Sequence, residues 1–190
     1  MKRNFIGSQN IGGVLLPYEN ALIYYVYGRV TLNVEYFLFI LPSIFYFYHH
    51  AIEISLKTAL SLKNIEYPTK GMKGHRIYDL LLLMINNGSF SERINNIQNK
   101  SEMMNTLSEM DNSYMNNKYN YPGYQISRLS LRDDMDELIF VLFEEINSIL
   151  KTKTPKHALA ILNIPKSVEQ VFLLGLKKPF SYKIISALED

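Results

Sequence analysis

Residues 43–85 constrain the fold more than any other part of the chain, because they have the pattern of two consecutive helices joined by a short polar connector. Residues 44–62 of the first helix are mostly apolar around its circumference. One line of polar side chains interrupts this apolar surface, with spacings of 3 or 4 residues that place its members on one helix face: Tyr46, His50, Glu53, Lys57, Ser61 and Asn64. The pattern predicts a helix that buries most of its surface and carries a single polar line.

Length and composition indicate one domain with a short appendage, since the chain has 190 residues. Hydrophobic residues make up 47% and charged residues 20%, which suffices for a core and argues against wholesale disorder. The net charge of +2 provides no strong field for nucleic acid or anionic lipid, so such binding needs a local patch. The sequence contains no cysteine, which excludes disulfides, thiolate zinc sites and a cysteine nucleophile. This composition fits a reducing compartment, and we expect a cytoplasmic location.

Neither a signal peptide nor a membrane span is expected. The apolar run at residues 14–16 is interrupted by Pro17, unlike the apolar core of a signal peptide. Residues 30–48 are apolar and aromatic but include Asn33, Glu35 and Pro42. Because a spanning helix needs about 20 mostly apolar residues, we expect a buried core helix in this region.

The chain divides into three parts. We expect a loose N-terminal segment (1–16), a helical bundle (17–152), and a C-terminal extension (153–190) of short helical pieces punctuated by Pro165 and Pro179. The predicted fold class is all-α, an up-and-down helical bundle with a short helical C-terminal extension.

The first half of the bundle contains three predicted helices. A first helical region covers residues 18–41 with a break near Gly28, and Pro42 either begins the next helix or kinks a continuous one. That second helix ends near Asn64, before a glycine-containing connector. The third begins near His75 and ends at an Asn-Asn-Gly stop signal.

The second half contains a fourth helix, a long loop and a final helix. Ser91 is the predicted N-cap of the fourth helix, whose helical apolar spacing extends to Met110. Residues 111–127 are rich in Asn and Tyr and are predicted to form a long loop. Asp133 and its acidic neighbour begin the last bundle helix, which ends around Lys151.

The stretch HHAIEISLKTAL, the connector after it and the stretch GHRIYDLLLLM resemble the HEPN superfamily of helical-bundle proteins (higher eukaryotes and prokaryotes nucleotide-binding). Members often show Ala-x-Glu-x-x-Leu-Lys on the second helix and a Gly-His-x-Leu-like start to the third. The matching positions here are Ala51, Glu53, Leu56, Lys57, Gly74 and His75. The resemblance covers about residues 34–150 and implies an up-and-down bundle that commonly dimerises to form a cleft.

The resemblance implies activities that range from RNA or nucleotide binding to metal-independent RNA cleavage, often in toxin–antitoxin or phage-defence systems. Cleaving members carry an Arg followed four to six residues later by a His, which supply charge stabilisation at phosphate and proton transfer. This sequence has no such pair; Lys151 and His157 have the spacing, but with lysine in place of arginine. Where many members have Arg-Tyr-Pro, this chain has Asn120, Tyr121 and Pro122. Ribonuclease activity of the usual type is therefore not expected.

His50, Glu53 and Lys57 form the candidate ligand site, and His75 approaches it from the third helix. The same four residues are the candidates for catalysis. A histidine beside a carboxylate and an ammonium group can titrate near neutral pH. The alternative is a solvated helix face with a Glu53–Lys57 surface pair. Asp79 lies one turn after His75 and is a candidate to orient it, although His75 alternatively caps or packs the helix start.

Lys118 and Tyr121 complete the predicted ligand-binding set. Tyrosines in residues 111–127 offer stacking surfaces for single-stranded RNA, and the lysine offers a phosphate contact. The alternative is that this tyrosine-rich stretch packs on the domain surface or at an oligomer interface.

No metal or cofactor is expected. His49, His50 and Glu53 have helical spacing suitable for zinc, but only one of the two histidines is expected to share the Glu53 face well, and no further ligand is evident nearby. The sequence has no glycine-rich phosphate loop.

Three functions remain open from sequence. The first is an RNA- or nucleotide-binding homodimer of a bacterial stress, toxin–antitoxin or phage-defence system, with an antitoxin or defence-system protein as partner. The second is a divergent, metal-independent ribonuclease toxin that uses His50 or His75 with Lys57 or Arg76. The third is a non-catalytic structural or interaction module.

Overall fold

The computed structural model describes residues 12–31, 37–88, 91–97, 99–119, 133–153 and 170. Within these residues there are six α-helices and no strand: α1 (Gly12–Thr31), α2 (Phe37–Leu62), α3 (Ile77–Asn86), α4 (Ser91–Asn95), α5 (Lys100–Tyr119) and α6 (Asp133–Lys153). A 3₁₀ turn, Met72–Gly74, precedes α3. The prediction of an all-α bundle is confirmed. The predicted C-terminal extension lies outside the described residues, apart from residues 153 and 170.

α2 is the central helix of the bundle, and it packs against α1, α3, α5 and α6. Its apolar arc is the largest single contribution to the core, with these side chains essentially inaccessible to water: Ile44, Tyr48, Ala51, Ile52, Leu56, Ala59 and Leu60. Because four helices cover it, the middle of the polar line on α2 is buried at Glu53, whereas Tyr46 and Asn64 at its two ends are exposed. Across the described helices, none combines the length and hydropathy that a membrane crossing requires.

α1 and α2 pack closely because Gly28 has no side chain. A Cβ at this position would lie 2.8 Å from Cδ2 of Tyr48. The expected break at Gly28 is therefore wrong: α1 is continuous through it, and the glycine serves helix–helix contact. The predicted helical region over residues 18–41 is instead two helices, since α1 ends at Thr31 and α2 begins at Phe37. α2 continues through residue 42, so the helix is continuous there.

The predicted fourth helix is two helices, α4 and α5, and the prediction of a loop is wrong for residues 111–119, which belong to α5. Residues 120–127 of that predicted loop lie outside the described residues. The apolar stripe of α5, Met103, Leu107 and Met110, is buried against the core. Asp111 is also buried, and its polar atoms have partners inside the protein. The helix therefore continues where the polar composition favoured a loop.

A buried carboxylate joins α6 to α1 and α2. Asp136 is only 4% exposed, and its Oδ1 accepts hydrogen bonds from the hydroxyls of Tyr25 at 2.8 Å and Tyr48 at 2.9 Å. Arg29 Nε lies 3.3 Å from Asp136 Oδ2. Burial, and then the charge of Asp136, raise the pKa of both tyrosines, so both remain protonated donors at neutral pH. Polar groups from three helices thus satisfy one another in the core.

We expect Asp136→Asn to lower the free energy of unfolding by about 3 kcal/mol, because it removes the buried anion that Arg29 faces. Urea denaturation measures this change. The matched control is Glu144→Gln on the same helix, where the carboxylate is 64% exposed and pairs with Arg93 at 3.5 Å. That substitution is expected to cost less than about 0.5 kcal/mol. Equal losses in the two variants would show that the buried network does not stabilise the bundle.

Candidate functional site

Glu53 lies at the centre of a polar cluster, although its side chain is only 6% exposed. Lys57 Nζ donates a hydrogen bond to its Oε1 at 2.5 Å. Nδ1 of His75 lies 3.1 Å from Oε1 and 3.2 Å from Oε2, on the other side of the carboxylate. The structure therefore brings together three predicted site residues from α2 and from the connection before α3.

Both neighbouring histidines of α2 also face Glu53. Nδ1 of His49 lies 3.7 Å, and Nδ1 of His50 3.8 Å, from Glu53 Oε2. The expectation that only one of them could share the Glu53 face well is wrong. Glu53 follows His49 by four residues and His50 by three, and side chains at both separations are neighbours on a helix surface. The carboxylate is therefore flanked by both rings.

Asp111 of α5 holds His49 and the beginning of α3 at the same time. Its Oδ1 lies 3.2 Å from Nε2 of His49 and accepts a hydrogen bond from the backbone N–H of Ile77 at 2.8 Å. Its Oδ2 accepts from the backbone N–H of Tyr78 at 3.0 Å. These N–H groups belong to the first turn of α3, where the helix itself provides no carbonyl acceptor for them. A carboxylate at this helix end is also favoured by the helix dipole.

Tyr114, one turn further along α5, covers the histidines. Its ring is parallel to that of His49, with centroids 4.1 Å apart and an interplanar angle of 2°. Its centroid lies 5.7 Å from that of His50 and 5.9 Å from that of His75. Tyr46 lies on the other side of His50, at 4.2 Å between centroids, and is 45% exposed. The cluster thus has an aromatic wall that reaches the surface.

Gly74 places His75 beside Glu53. A Cβ on Gly74 would lie 3.0 Å from the carbonyl carbon of Thr69 and 3.2 Å from the carbonyl oxygen of Pro68. The connector therefore passes too close to itself for a side chain at this position. The tight turn precedes His75, whose Nδ1 lies 3.1 Å from Glu53 Oε1 on α2.

The charges of the cluster are set by burial and by Glu53. Burial opposes ionisation of Glu53, but the hydrogen bond and charge of Lys57, and then those of His75, hold its pKa below the ordinary value. Burial lowers the pKa of His50 to about 4, although Glu53 partly offsets this effect. At neutral pH the site therefore contains a carboxylate, a paired ammonium group and a neutral His50.

The site opens to solvent on the side of His75. Its side chain is 32% exposed, compared with 20% for Lys57, 17% for His50 and 1% for His49. The alternative of a solvated helix face does not hold at Glu53, which the neighbouring helices cover. The accessible groups are thus a histidine and a lysine that share one buried carboxylate.

Of the remaining predicted ligand residues, Asp79 is not part of this cluster, and the side chains of Lys118 and Tyr121 are outside the described part of the chain. The Asp79 side chain is 47% exposed and forms an ion pair with Arg76 at 3.3 Å, so the carboxylate that holds Nδ1 of His75 is Glu53. Lys118 belongs to α5, but its side chain is outside the described part of the chain, as is all of Tyr121.

Sequence reasoning missed Asp111 and counted Tyr114 only among the stacking tyrosines, because it placed both in a loop. A signal was available: Tyr114 extends the spacing of Met103, Leu107 and Met110 by one more turn. The number of asparagines in the segment outweighed that periodicity. Sequence reasoning also underestimated the contribution of His49 to the polar cluster around Glu53.

Comparison of the chain with models of protein families, with curated proteins and with solved structures finds no match.

We expect the pH dependence of stability to report His50. Its pKa is about 4 in the folded protein and 6.5 in the unfolded chain, so between these values the unfolded state binds the extra proton. The free energy of unfolding therefore decreases as the pH falls from about 6.5 to about 4, by an amount on the order of 1–3 kcal/mol. His50→Gln is expected to flatten this part of the curve, measured by urea denaturation at a series of pH values.

The wild-type protein and the His50→Gln variant share the other groups that contact His50, so the difference between their pH curves reports His50. These groups include His49, Glu53 and Lys57 on α2, His75 before α3, Tyr24 on α1 and Tyr114 on α5. Protonation of Glu53, whose pKa is also lowered, adds a further loss below about pH 4.5 in both proteins. Identical slopes between pH 4.5 and 6.5 would contradict the assignment.

Proposed function

We propose that this protein is a HEPN-like bundle that binds RNA or a nucleotide at the cluster around Glu53. The observation that carries the proposal is that Lys57 and His75 meet at one buried carboxylate while both remain partly exposed. Lys57 and His75 are hydrogen-bond donors whose side chains are already ordered before a ligand arrives, and such donors suit the oxygens of a phosphate group.

Each accessible group has a role in such a complex. Lys57 supplies a positive charge to a phosphate oxygen. His75 is engaged at Nδ1 by Glu53, which leaves Nε2 to meet the ligand. Tyr46 is 45% exposed beside His50 and offers a flat surface on which a base can stack. Phosphate and base are thus contacted from adjacent parts of one surface.

The resemblance is supported by the way its matching positions meet in space. Glu53 and Lys57 come from the Ala-x-Glu-x-x-Leu-Lys match, and His75 comes from the Gly-His match 22 residues after Glu53. Gly74 of the same match has a steric reason to be glycine. Two short motifs that are separate in sequence therefore form one chemical group.

The proposal extends to a homodimer in a bacterial stress, toxin–antitoxin or phage-defence system, with an antitoxin or defence-system partner. Among the described residues, the large apolar side chains that are most exposed are Tyr46 at 45% and Met72 at 65%. Tyr46 is on α2 beside His50, and Met72 begins the turn that leads to His75. A second copy or a partner protein at this end of the bundle would cover both.

A second candidate function, metal-independent RNA cleavage, is favoured by the contact between Glu53 and His75. A carboxylate-oriented imidazole with an accessible second nitrogen is suited to general acid–base catalysis. His50 is less suited, because a pKa of about 4 lies far from neutral working pH. In this candidate function, His75 transfers the proton and Lys57 or the exposed Arg76 stabilises the charge on phosphate.

We expect Lys57→Gln to weaken binding of labelled single-stranded RNA or labelled ATP at least tenfold, measured by fluorescence anisotropy. The matched control is Lys63→Gln, since Lys63 is also at the C-terminal end of α2 but pairs with Glu145 at 3.2 Å, away from the cluster. That variant is expected to bind within about twofold of wild type, and wild-type affinity should fall steeply with salt.

Binding that is equal in the two lysine variants, or no binding by wild type at low salt, would contradict the proposal. Thermal melting of both variants establishes that they are folded. The same RNA samples, incubated with EDTA and separated on a denaturing gel, test the second candidate. RNA that is cleaved by wild type and intact with His75→Gln supports catalysis; RNA that is intact with wild type excludes it under those conditions.

A further inference from the structure

We propose that His49, His50 and Glu53 form a binding site for a divalent transition-metal ion of the zinc class. The expectation of no metal site rested on two premises, that only one histidine would share the Glu53 face and that no further ligand lies nearby. The structure removes the first premise, because both rings present Nδ1 to the same carboxylate oxygen.

The distances between the candidate ligand atoms are close to those of a metal centre. One nitrogen from each histidine and one oxygen of Glu53 all lie within 4.8 Å of one another. Glu53 Oε2 is 3.7 Å from Nδ1 of His49 and 3.8 Å from Nδ1 of His50. Ligand atoms about 2.0–2.1 Å from a tetrahedral zinc ion are about 3.3 Å apart. The two distances to Glu53 Oε2 must shorten by about half an ångström, and that between the two histidine nitrogens by up to about 1.5 Å, to bring the three atoms onto one ion.

His49 gives independent evidence that something binds here. Its ring is 1% exposed, yet Nδ1 has no hydrogen-bond partner. Nε2 faces Asp111, a carboxylate that also accepts two backbone N–H groups; in the tautomer that donates from Nε2 to Asp111, Nδ1 carries a lone pair. A buried lone pair without a partner is costly. A metal ion at Nδ1 would satisfy it.

The contact between His49 and Asp111 is also what a metal-bound histidine usually has. Such histidines donate their second ring N–H to a carboxylate or carbonyl, which fixes the ring and raises its basicity. Asp111 is 3% exposed and is itself fixed by the first turn of α3. The ring of His49 is therefore held in position before any ion arrives.

His75 lies beside this group without being part of it. Its Nδ1 is 3.2 Å from Glu53 Oε2, but among the described residues only His49, His50 and Glu53 offer ligand atoms within 4.8 Å of one another. Lys57 binds Oε1 of Glu53, and an ion at Oε2 would replace the contact that His75 makes there. Two imidazole nitrogens and one carboxylate oxygen, with water in the fourth position, suit zinc and its neighbours in the first transition series, whereas magnesium and calcium prefer oxygen ligands.

The test titrates the full chain, first treated with EDTA and dialysed, with zinc chloride in a calorimeter. Cobalt(II) provides a second probe, because its visible absorption reports tetrahedral coordination. We expect one zinc ion per chain with a Kd below about 1 μM, and a loss of at least 100-fold in His50→Gln. Asp79→Asn, which changes an exposed carboxylate paired with Arg76, is expected to bind like wild type.

His49→Gln should lose binding in the same way, and circular dichroism establishes whether it is folded. If it is not, His50→Gln carries the test, since this side chain is more exposed. Binding in wild type that is no tighter than in His50→Gln, or an absence of tetrahedral cobalt absorption, would overturn the inference. The two proposals fail separately: RNA or nucleotide binding without zinc binding would overturn this inference alone, and zinc binding without RNA or nucleotide binding would overturn the proposed function alone.

Discussion

A buried chain of polar contacts from α3 through Asp111 and His49 to Glu53 determines the arrangement of the candidate site. Asp111 accepts the first N–H groups of α3 and faces His49, whose second nitrogen faces Glu53. Each member is nearly inaccessible to water, although Nδ1 of His49 lies 3.7 Å from Glu53 Oε2 without a hydrogen bond. The chain joins α5, α3 and α2, and thereby fixes where His75 and Lys57 meet the carboxylate.

α2 is unusual in carrying polar networks on different faces. Tyr48 contacts Asp136 in the core between α1 and α6, whereas the next residue, His49, contacts Asp111 of α5. The first network is enclosed, and its roles are packing and specificity of helix placement. The second ends at side chains that reach the surface, Lys57 and His75. This difference in accessibility is the physical reason for assigning function to the second network only.

The sequence was most informative where a periodic apolar pattern set the helices. It predicted the central helix, the third helix near His75 and the final helix from Asp133, and it placed Glu53, Lys57 and His75 in one candidate group. It failed where polar residues are buried through partners distant in sequence. Asp111 lies 62 residues from His49, and Asp136 lies 111 residues from Tyr25, so no local spacing indicates either contact. The polar composition of residues 111–119 then favoured a loop, although buried hydrogen bonds keep that segment helical.

The tautomer of His49 tests this account most directly, because the contact with Asp111 requires a hydrogen on Nε2 and the metal proposal requires a lone pair on Nδ1. The ring nitrogens of ¹⁵N-labelled protein can be observed by long-range ¹H–¹⁵N correlation at neutral pH after metal is removed, with His49 assigned by the signal that His49→Gln lacks. The account predicts hydrogen on Nε2 and none on Nδ1, and a shift of the Nδ1 signal when zinc is added. A ring with hydrogen on Nδ1 would contradict it.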